Sequence, residues 1–355
     1  MTLNGVLQLA AFFAALVLLA KPLGAFMARV FQRERTFLDP VLGPVERLIY
    51  RLARINPDEE LDWKANTMAM LLFNVVGLLV VYALQRLQQV LPLNPQAFGA
   101  ISADSAFNTA VSFTTNTNWQ GYGGETTMSY LTQMMGMTVQ NFLSAATGMA
   151  VLALFIRGIA RHSAKTLGNF WVDMTRSTLY VLLPLSLVLA LVIISQGAVQ
   201  NFSSYAAVPL LQPTSDAGGA AVKEQVVAMG PAASQVAIKH LGTNGGGFFN
   251  ANAAHPFESP TPLTDFLLIL AEAMLAAALC YTFGAMVGDT RQGWAVLAAM
   301  VIILAGAMVV AYQAESAGNP ALTALGVDQH STAVNPGGNM EGKEVRFGIA
   351  RSALF

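Results

Sequence analysis

The chain has 355 residues, 54% hydrophobic and 11% charged, with a formal net charge of −1, a mean hydropathy of +0.52 and a pI near 6.4. A soluble domain carries roughly 25% charged residues, so this composition excludes an ordinary water-soluble globule, and without a basic field it gives no ground for a nucleic-acid partner. The single cysteine, Cys280, excludes an internal disulfide and, inside an apolar run, reads as a packing residue.

The first apolar run, residues 3–23, has no basic residue ahead of its core, while Lys21 and Arg29 fall at and beyond its end. A secretory signal places its positive charge first, so the run predicts a retained spanning helix with its N-terminus outside. About 20 apolar residues cross the hydrocarbon, and further runs of that length lie at 65–86, 128–156, 178–196, 263–288 and 294–314, six spans in all. Lys and Arg number eight in 21–64, four in 157–177 and one in 289–293, against none in 87–127 and only Lys223 and Lys239 in 197–262. The bias puts 87–127 and 197–262 outside. Topology suffices to explain Arg29, Arg33, Arg35, Arg47, Arg51 and Arg54 in the first basic segment, which also suit anionic lipid or another subunit.

Between the second and third spans, residues 102–114 (SADSAFNTAVSFT) predict a short helix with Ser102 or Asp104 as N-cap, running into 115–121 (TNTNWQG). Between the fourth and fifth spans, 231–241 (PAASQVAIKHL) predict another, with Pro231 suited to its first position, running into 242–247 (GTNGGG). Placing Thr115 on Thr243 aligns Asn116 with Asn244, so both segments read span, short helix, polar loop, span. After the last span, 341–355 (EGKEVRFGIARSALF) reads as a third short re-entrant helix. The same grammar expects a further polar loop and descending span, so the chain is expected to be truncated.

Irregular backbone at membrane depth is tolerated only where protein or a water path surrounds it. Glycine lets successive carbonyls aim the same way and threonine hydroxyls add oxygen ligands, which together can replace the hydration shell of K⁺. Each short helix would also turn its negative C-terminal end toward such a cation. A lone glycine-rich turn is more often a flexible connection; the recurrence of the loop favours a cation path.

Other polar residues carry weaker signals. Glu125 and Glu258 follow their loops and either gather cations at an outer mouth or anchor neighbouring helices. Lys239, four residues before Thr243, suits a helix C-terminus and either discourages ion dwell, couples to a partner subunit or snorkels to solvent. Glu272 is an intramembrane carboxylate, by default a functional candidate with a polar partner, or else protonated and packed against a neighbouring helix. Gln133, Gln140 and Asn141 read as interhelical hydrogen-bonding residues. His162, His240, His255 and His330 have no spacing that makes a metal site, and most of them read as surface or interfacial residues. There is no G-x-x-x-x-G-K-[ST] phosphate loop and no D-K-T-G segment, so the chain itself is not expected to hydrolyse ATP.

The segments 108–120 (NTAVSFTTNTNWQ), 139–145 (VQNFLSA), 242–252 (GTNGGGFFNAN), 255–258 (HPFE) and 339–344 (NMEGKE) together resemble the potassium-translocating A subunit of Kdp-type potassium pumps. The resemblance implies an all-α integral membrane protein of the potassium-channel-like transporter superfamily, built from span–pore helix–filter loop–span repeats plus one extra N-terminal span. On this chain that gives the extra span at 1–24, a first repeat at 65–156, a second at 178–288 and part of a third at 294–355. It assigns Thr115, Asn116, Thr117 and Asn118 to a first filter loop, with Gln120 as support, and Gly242, Thr243, Asn244, Gly245 and Gly246 to a second. K⁺ would be the transported ion and the bacterial plasma membrane the location. The implied partners are a P-type ATPase catalytic subunit and two small membrane subunits. A self-standing K⁺ or Na⁺ transporter of the same repeat class and an inactive, truncated assembly module are the rival readings.

Overall fold

The computed structural model describes residues 2–161, 163–250, 253–332 and 335–354; His162 and Asn252, named above, lie outside them. In chain order the helices are α1 (Leu3–Phe31), α2 (Asp39–Ala53), α3 (Trp63–Leu87), α4 (Ala103–Thr114), α5 (Gly124–Thr127), α6 (Val139–Ala160), α7 (Phe170–Arg176) and α8 (Leu183–Ser195). An antiparallel hairpin of β1 (Ala206–Ser215) and β2 (Ala221–Val227) follows, then α9 (Ala232–Leu241), α10 (Pro262–Met286), α11 (Thr290–Ser316), α12 (Pro320–Ala324) and α13 (Gly348–Leu354). π-helical turns at Thr132–Thr138 lead into α6, and others at Ser177–Leu182 join α7 to α8. Among the described residues six helices are long and apolar enough to cross a membrane, one at each run expected from the sequence. The protein is a mostly helical, multi-pass membrane protein.

Local signals start these helices where the chain changes character. The side chains of Thr2, Asp62, Asn169 and Asp289 accept hydrogen bonds from the first backbone N–H groups of α1, α3, α7 and α11, which would otherwise lack partners at a helix start. On α3, Leu71, Leu72, Val75, Val76, Leu79 and Val80 are all exposed. That surface is costly in water and at home in lipid.

The chain divides into two compact units. The first comprises Met1–Leu52, Leu152–Gly168 and Pro262–Phe355. Its core joins Phe12, Leu16 and Ala20 of α1 to Ile269, Leu270, Ala277 and the buried Cys280 of α10 and to Leu297 of α11. Small residues set the helix spacing: a Cβ on Gly24 would lie 2.4 Å from the Ala278 carbonyl, and one on Gly293 would lie 2.4 Å from the Cys280 carbonyl. The Thr282 hydroxyl bonds the Gly24 carbonyl across this contact at 3.0 Å.

The second unit comprises Ala53–Val151 and Asn169–Thr261. Within it α4 packs on α3 through Val81, Ala106, Ala110 and Phe113, joined by Met137 of the π turn. Two buried amides tie the segment between them: Gln85 donates to the Ala106 carbonyl at 3.1 Å, and Gln88 to the carbonyls of Gly99 at 2.6 Å and Thr127 at 2.8 Å. A second cluster, Tyr130, Ala232, Phe248 and Phe249, seats the start of α9.

The structure departs from the sequence reading in several places. Pro231 occupies the N-cap rather than the first helical position, with φ −80° and ψ 58°. Ser102 stands at the N-cap of α4 but makes no side-chain capping bond. Residues 341–347 are not helical; α13 covers only Gly348–Leu354, because Gly342 (φ +72°) and Gly348 (φ +79°) are left-handed and break a continuous helix. His240 is buried, 1% exposed, rather than interfacial. The β1–β2 hairpin has no counterpart among the expected elements.

Candidate functional site

Both polar loops lie in the second unit, each leaving the C-terminus of a short helix. In the first, the N–H groups of Thr115 and Asn116 bond the carbonyls of Val111 (3.0 Å) and Phe113 (3.4 Å), and those of Thr117 and Asn118 both bond Ser112 (2.9 and 3.1 Å). In the second, the N–H groups of Gly242 and Thr243 bond Ile238 (2.7 Å) and His240 (3.0 Å), and those of Asn244 and Gly245 both bond Lys239 (2.8 and 3.2 Å). The two patterns superimpose when Thr115 is set on Gly242, Asn116 on Thr243, Thr117 on Asn244 and Asn118 on Gly245. This corrects the sequence alignment by one residue: shared Thr–Asn letters pointed to Thr243, but the helix ends after Thr114 in one segment and Leu241 in the other.

The dihedral angles follow the corrected register. Asn116 (φ +63°) matches Thr243 (φ +52°), and Asn118 (φ +54°) matches Gly245 (φ +70°). Thr115 and Gly242 sit at φ −85° and −77°. Alternating hands of backbone turn successive peptide planes so that their carbonyls come toward one side, which an extended strand does not do. Asparagine and glycine enter the left-handed region readily, whereas β-branched Thr243 does so at a cost of about 1–2 kcal/mol. Strain held in a loop of this kind is typical of functional sites.

Side chains lace the loops together. Asn116 donates to the carbonyls of Gly242 (3.3 Å) and Thr243 (3.4 Å), and Asn118 to that of Asn244 (3.0 Å). Asn244 donates to the Asn116 side-chain oxygen and to the Ser144 hydroxyl, and Ser144 donates to Asn116 at 2.8 Å. Gln120 closes the far end: its amide donates to the Gly247 carbonyl (3.0 Å) and accepts from the Gly247 N–H (2.7 Å). Gly246 (φ +78°) lies under it, where an added Cβ would meet the Gln120 oxygen at 3.1 Å.

Among the described residues no donor reaches the carbonyls of Thr115, Asn116, Thr117, Asn118, Gly245 or Gly246. Thr115, Thr117 and Thr243 are exposed. The arrangement is therefore a surface of neutral oxygens at the negative ends of two helices, chemistry suited to a weakly hydrated monovalent cation. A carbonyl already accepting from asparagine keeps a second lone pair for an ion.

The other sequence candidates separate. Lys239 and Glu258 form an ion pair with side chains 1% and 0% exposed, so neither reaches solvent, and Glu258 also accepts from the Phe249 N–H at 2.8 Å. Glu125 lies half-buried in the first turn of the short α5, and its carbonyl accepts from the Tyr205 hydroxyl at 2.9 Å. Glu272 lies half-buried in α10 of the first unit. Several supports were missed or unassigned. Ser144 ties both loops; Gln133 donates to the Phe248 carbonyl at 3.0 Å and accepts from Gln235 at 2.9 Å. Gly124 leaves so little room that a Cβ would lie 2.0 Å from the Phe248 carbonyl. The only sequence signal for Gln133 and Ser144 was a polar residue in a span. Burial pushes the Tyr122 hydroxyl, which accepts from Gln120 at 3.1 Å, well above the usual phenol range.

The sequence profile of the KdpA family, described as the potassium-transporting ATPase A subunit, matches residues 10–355. The chain is 62% identical over 355 residues to a potassium-transporting ATPase potassium-binding subunit of Sorangium cellulosum (strain So ce56), covering 100% of this chain and 61% of that protein. It is 60% identical over 352 residues to the subunit of the same name in Herpetosiphon aurantiacus, covering 99% and 61% of the two chains. For that of Chromobacterium violaceum the identity is 57% over 375 residues, covering 100% and 62%. The chain thus spans about 61% of the length of the first of these relatives. A profile match over nearly the whole sequence, with both polar loops inside it, places the chain in the potassium-transporting ATPase A subunit family.

Proposed function

We propose that this chain binds and selects K⁺ as the ion-conducting subunit of an ATP-driven potassium uptake complex in the bacterial plasma membrane. Thr115, Asn116, Thr117 and Asn118 form one segment of its selectivity filter, and Gly242, Thr243, Asn244, Gly245 and Gly246 another, with Gln120 bracing both. The repeats run over 65–156, 178–288 and 294–355, after an extra span at 1–24. ATP is hydrolysed by a separate P-type catalytic subunit, and two small membrane subunits complete the assembly.

The observation that carries this reading is the recurrence of one backbone conformation in two loops that share little sequence, each at a helix C-terminus and each offering oxygens without charge. The names of the relatives support K⁺ as the ion and an ATPase as the complex. The test is growth at limiting external K⁺ of cells that lack their own uptake systems. The chain is carried to the length of its relatives and co-expressed with the catalytic and small subunits. Growth is expected to be restored, to require the catalytic subunit, and to fail when Thr115 and Thr117 are both replaced by Val. Restoration that survives loss of the catalytic subunit would favour a self-standing transporter, and no restoration would contradict the potassium assignment.

A further inference from the structure

We propose that the buried Lys239–Glu258 ion pair is a positioning device that clamps both ends of the second filter loop, and that neither residue acts as a charge on the ion path. The inference rests on the filter reading above and adds to it the element that holds one loop in shape.

Two buried charges without solvent must justify their desolvation by geometry. Here each partner holds one end of the loop. Lys239 stands in α9 with its carbonyl accepting the N–H groups of Asn244 (2.8 Å) and Gly245 (3.2 Å), which fixes the entry to the loop. Glu258 lies beyond the loop; one carboxylate oxygen accepts from Lys239 and the other from the Phe249 N–H at 2.8 Å, which fixes the exit. The Glu258 N–H in turn bonds the His255 carbonyl at 2.9 Å, so the carboxylate is carried on a turn rather than a mobile tail. The pair therefore joins residue 239 to residue 249 around the glycines.

The need for such a clamp is specific to this loop. Gly245, Gly246 and Gly247 have no side chains with which to pack, and glycine has the largest conformational freedom to lose. At the position equivalent to Lys239 the first loop has Ser112, whose carbonyl also takes two N–H groups and whose hydroxyl donates directly to the Trp119 carbonyl at 3.0 Å. Trp119 is the equivalent of Gly246. A hydroxyl suffices where the loop carries Asn118, Trp119 and Gln120; where it is three glycines, the brace is an ion pair reaching past them.

The test compares the wild type, the paired neutral variant Lys239→Met with Glu258→Leu, and the conservative Glu258→Gln, each in the assembled complex. The double variant leaves no orphaned charge, and Glu258→Gln keeps an acceptor for the Phe249 N–H. The first readout needs no transport: amide hydrogen exchange of the purified complexes. In the double variant the amides of Asn244, Gly245 and Phe249 should exchange at least about tenfold faster, a change of 1.4 kcal/mol in local opening, while Thr117 and Asn118 keep wild-type rates. Glu258→Gln keeps the Phe249 acceptor but removes the negative charge beside the buried Lys239 ammonium, so Asn244 and Gly245 should be accelerated at least as much and Phe249 less. The second readout is uptake: the half-saturating K⁺ concentration should rise about tenfold and discrimination against Na⁺ weaken, with the maximal rate kept within about twofold, as expected when only the positioning of a binding site is loosened. Wild-type exchange and wild-type half-saturation in the double variant would overturn the proposal. So would uniform acceleration of exchange in both loops, which marks global destabilisation. A double variant that does not accumulate leaves Glu258→Gln to decide by the same two readouts. Should the wild type show no saturable K⁺ uptake, the filter reading fails, while the exchange result still reports on the clamp.

Discussion

The two polar loops share a backbone and differ in almost everything that holds it. The first is built from side chains: Asn116, Asn118 and Gln120 reach across to the second loop, and Ser112 braces it from behind. The second is built from glycines and receives those bonds on its carbonyls, with Ser144 and the Lys239–Glu258 pair behind it. The first loop supplies most of the side-chain donors, and the second, Asn244 apart, supplies space. A conformation can thus be specified either by polar side chains that fill it or by the absence of side chains together with an external frame.

The largest expected effect exploits that asymmetry. Gly242 and Thr115 are backbone equivalents, yet a Cβ on Gly242 would meet the Asn244 oxygen at 2.1 Å and Ala145 at 3.0 Å, whereas Thr115 is exposed. Overpacking costs typically 1–3 kcal/mol, so Gly242→Ala should raise the half-saturating K⁺ concentration about 10–100-fold. Thr115→Ala should change it by only about threefold. Uptake kinetics at varied K⁺ check both, and equal effects would break the equivalence.

A second test uses strain. Thr243 is the β-branched residue at φ +52°, so Thr243→Gly should stabilise the folded protein by up to about 1 kcal/mol, read as a rise in thermal unfolding temperature. Selectivity should fall at the same time, because an exposed hydroxyl is lost. At the equivalent Asn116 (φ +63°), Gly substitution should destabilise instead, since the bonds to Gly242 and Thr243 are removed.

Two smaller effects sharpen the account of the braces. Ser112→Ala deletes one neutral hydrogen bond to Trp119, worth about 1 kcal/mol, and should raise half-saturation a few-fold without altering exchange of the Gly245 amide. Tyr122→Phe removes the acceptor for Gln120 and should change half-saturation by about twofold. Because burial raises the Tyr122 pKa, its neutral form is favoured in the folded state. Its stabilising contribution is present below the ordinary phenol value of about 10 and lost only as pH rises beyond it, so K⁺ affinity should be flat from about pH 6 to 9 in this respect.

These differences also explain what could be read in advance. The spans were legible because about 20 uninterrupted apolar residues have few alternatives to a membrane helix, and the loops because threonine, asparagine and glycine runs are out of place beside such spans. Their exact register was not: Thr115–Asn116 and Thr243–Asn244 match as letters, but a hydrogen-bond ladder begins where the helix ends, and α9 ends one residue earlier relative to its Thr–Asn pair than α4 does. The clamp was hidden because Lys239 and Glu258 are 19 residues apart and only the turn at 255–258 brings them together. The hairpin was hidden because most residues of β1 and β2 are exposed, leaving no alternation to detect.

The central claim, that these two loops together form a K⁺-binding surface, is tested most directly by anomalous diffraction or anomalous difference density from the full-length protein in its complex, with Tl⁺ or Rb⁺ replacing K⁺. The account predicts density beside the free carbonyls of Thr115 and Thr117 and the exposed Thr243, weakened by Gly242→Ala. Well-occupied density elsewhere in the protein, with none at these loops, would contradict it.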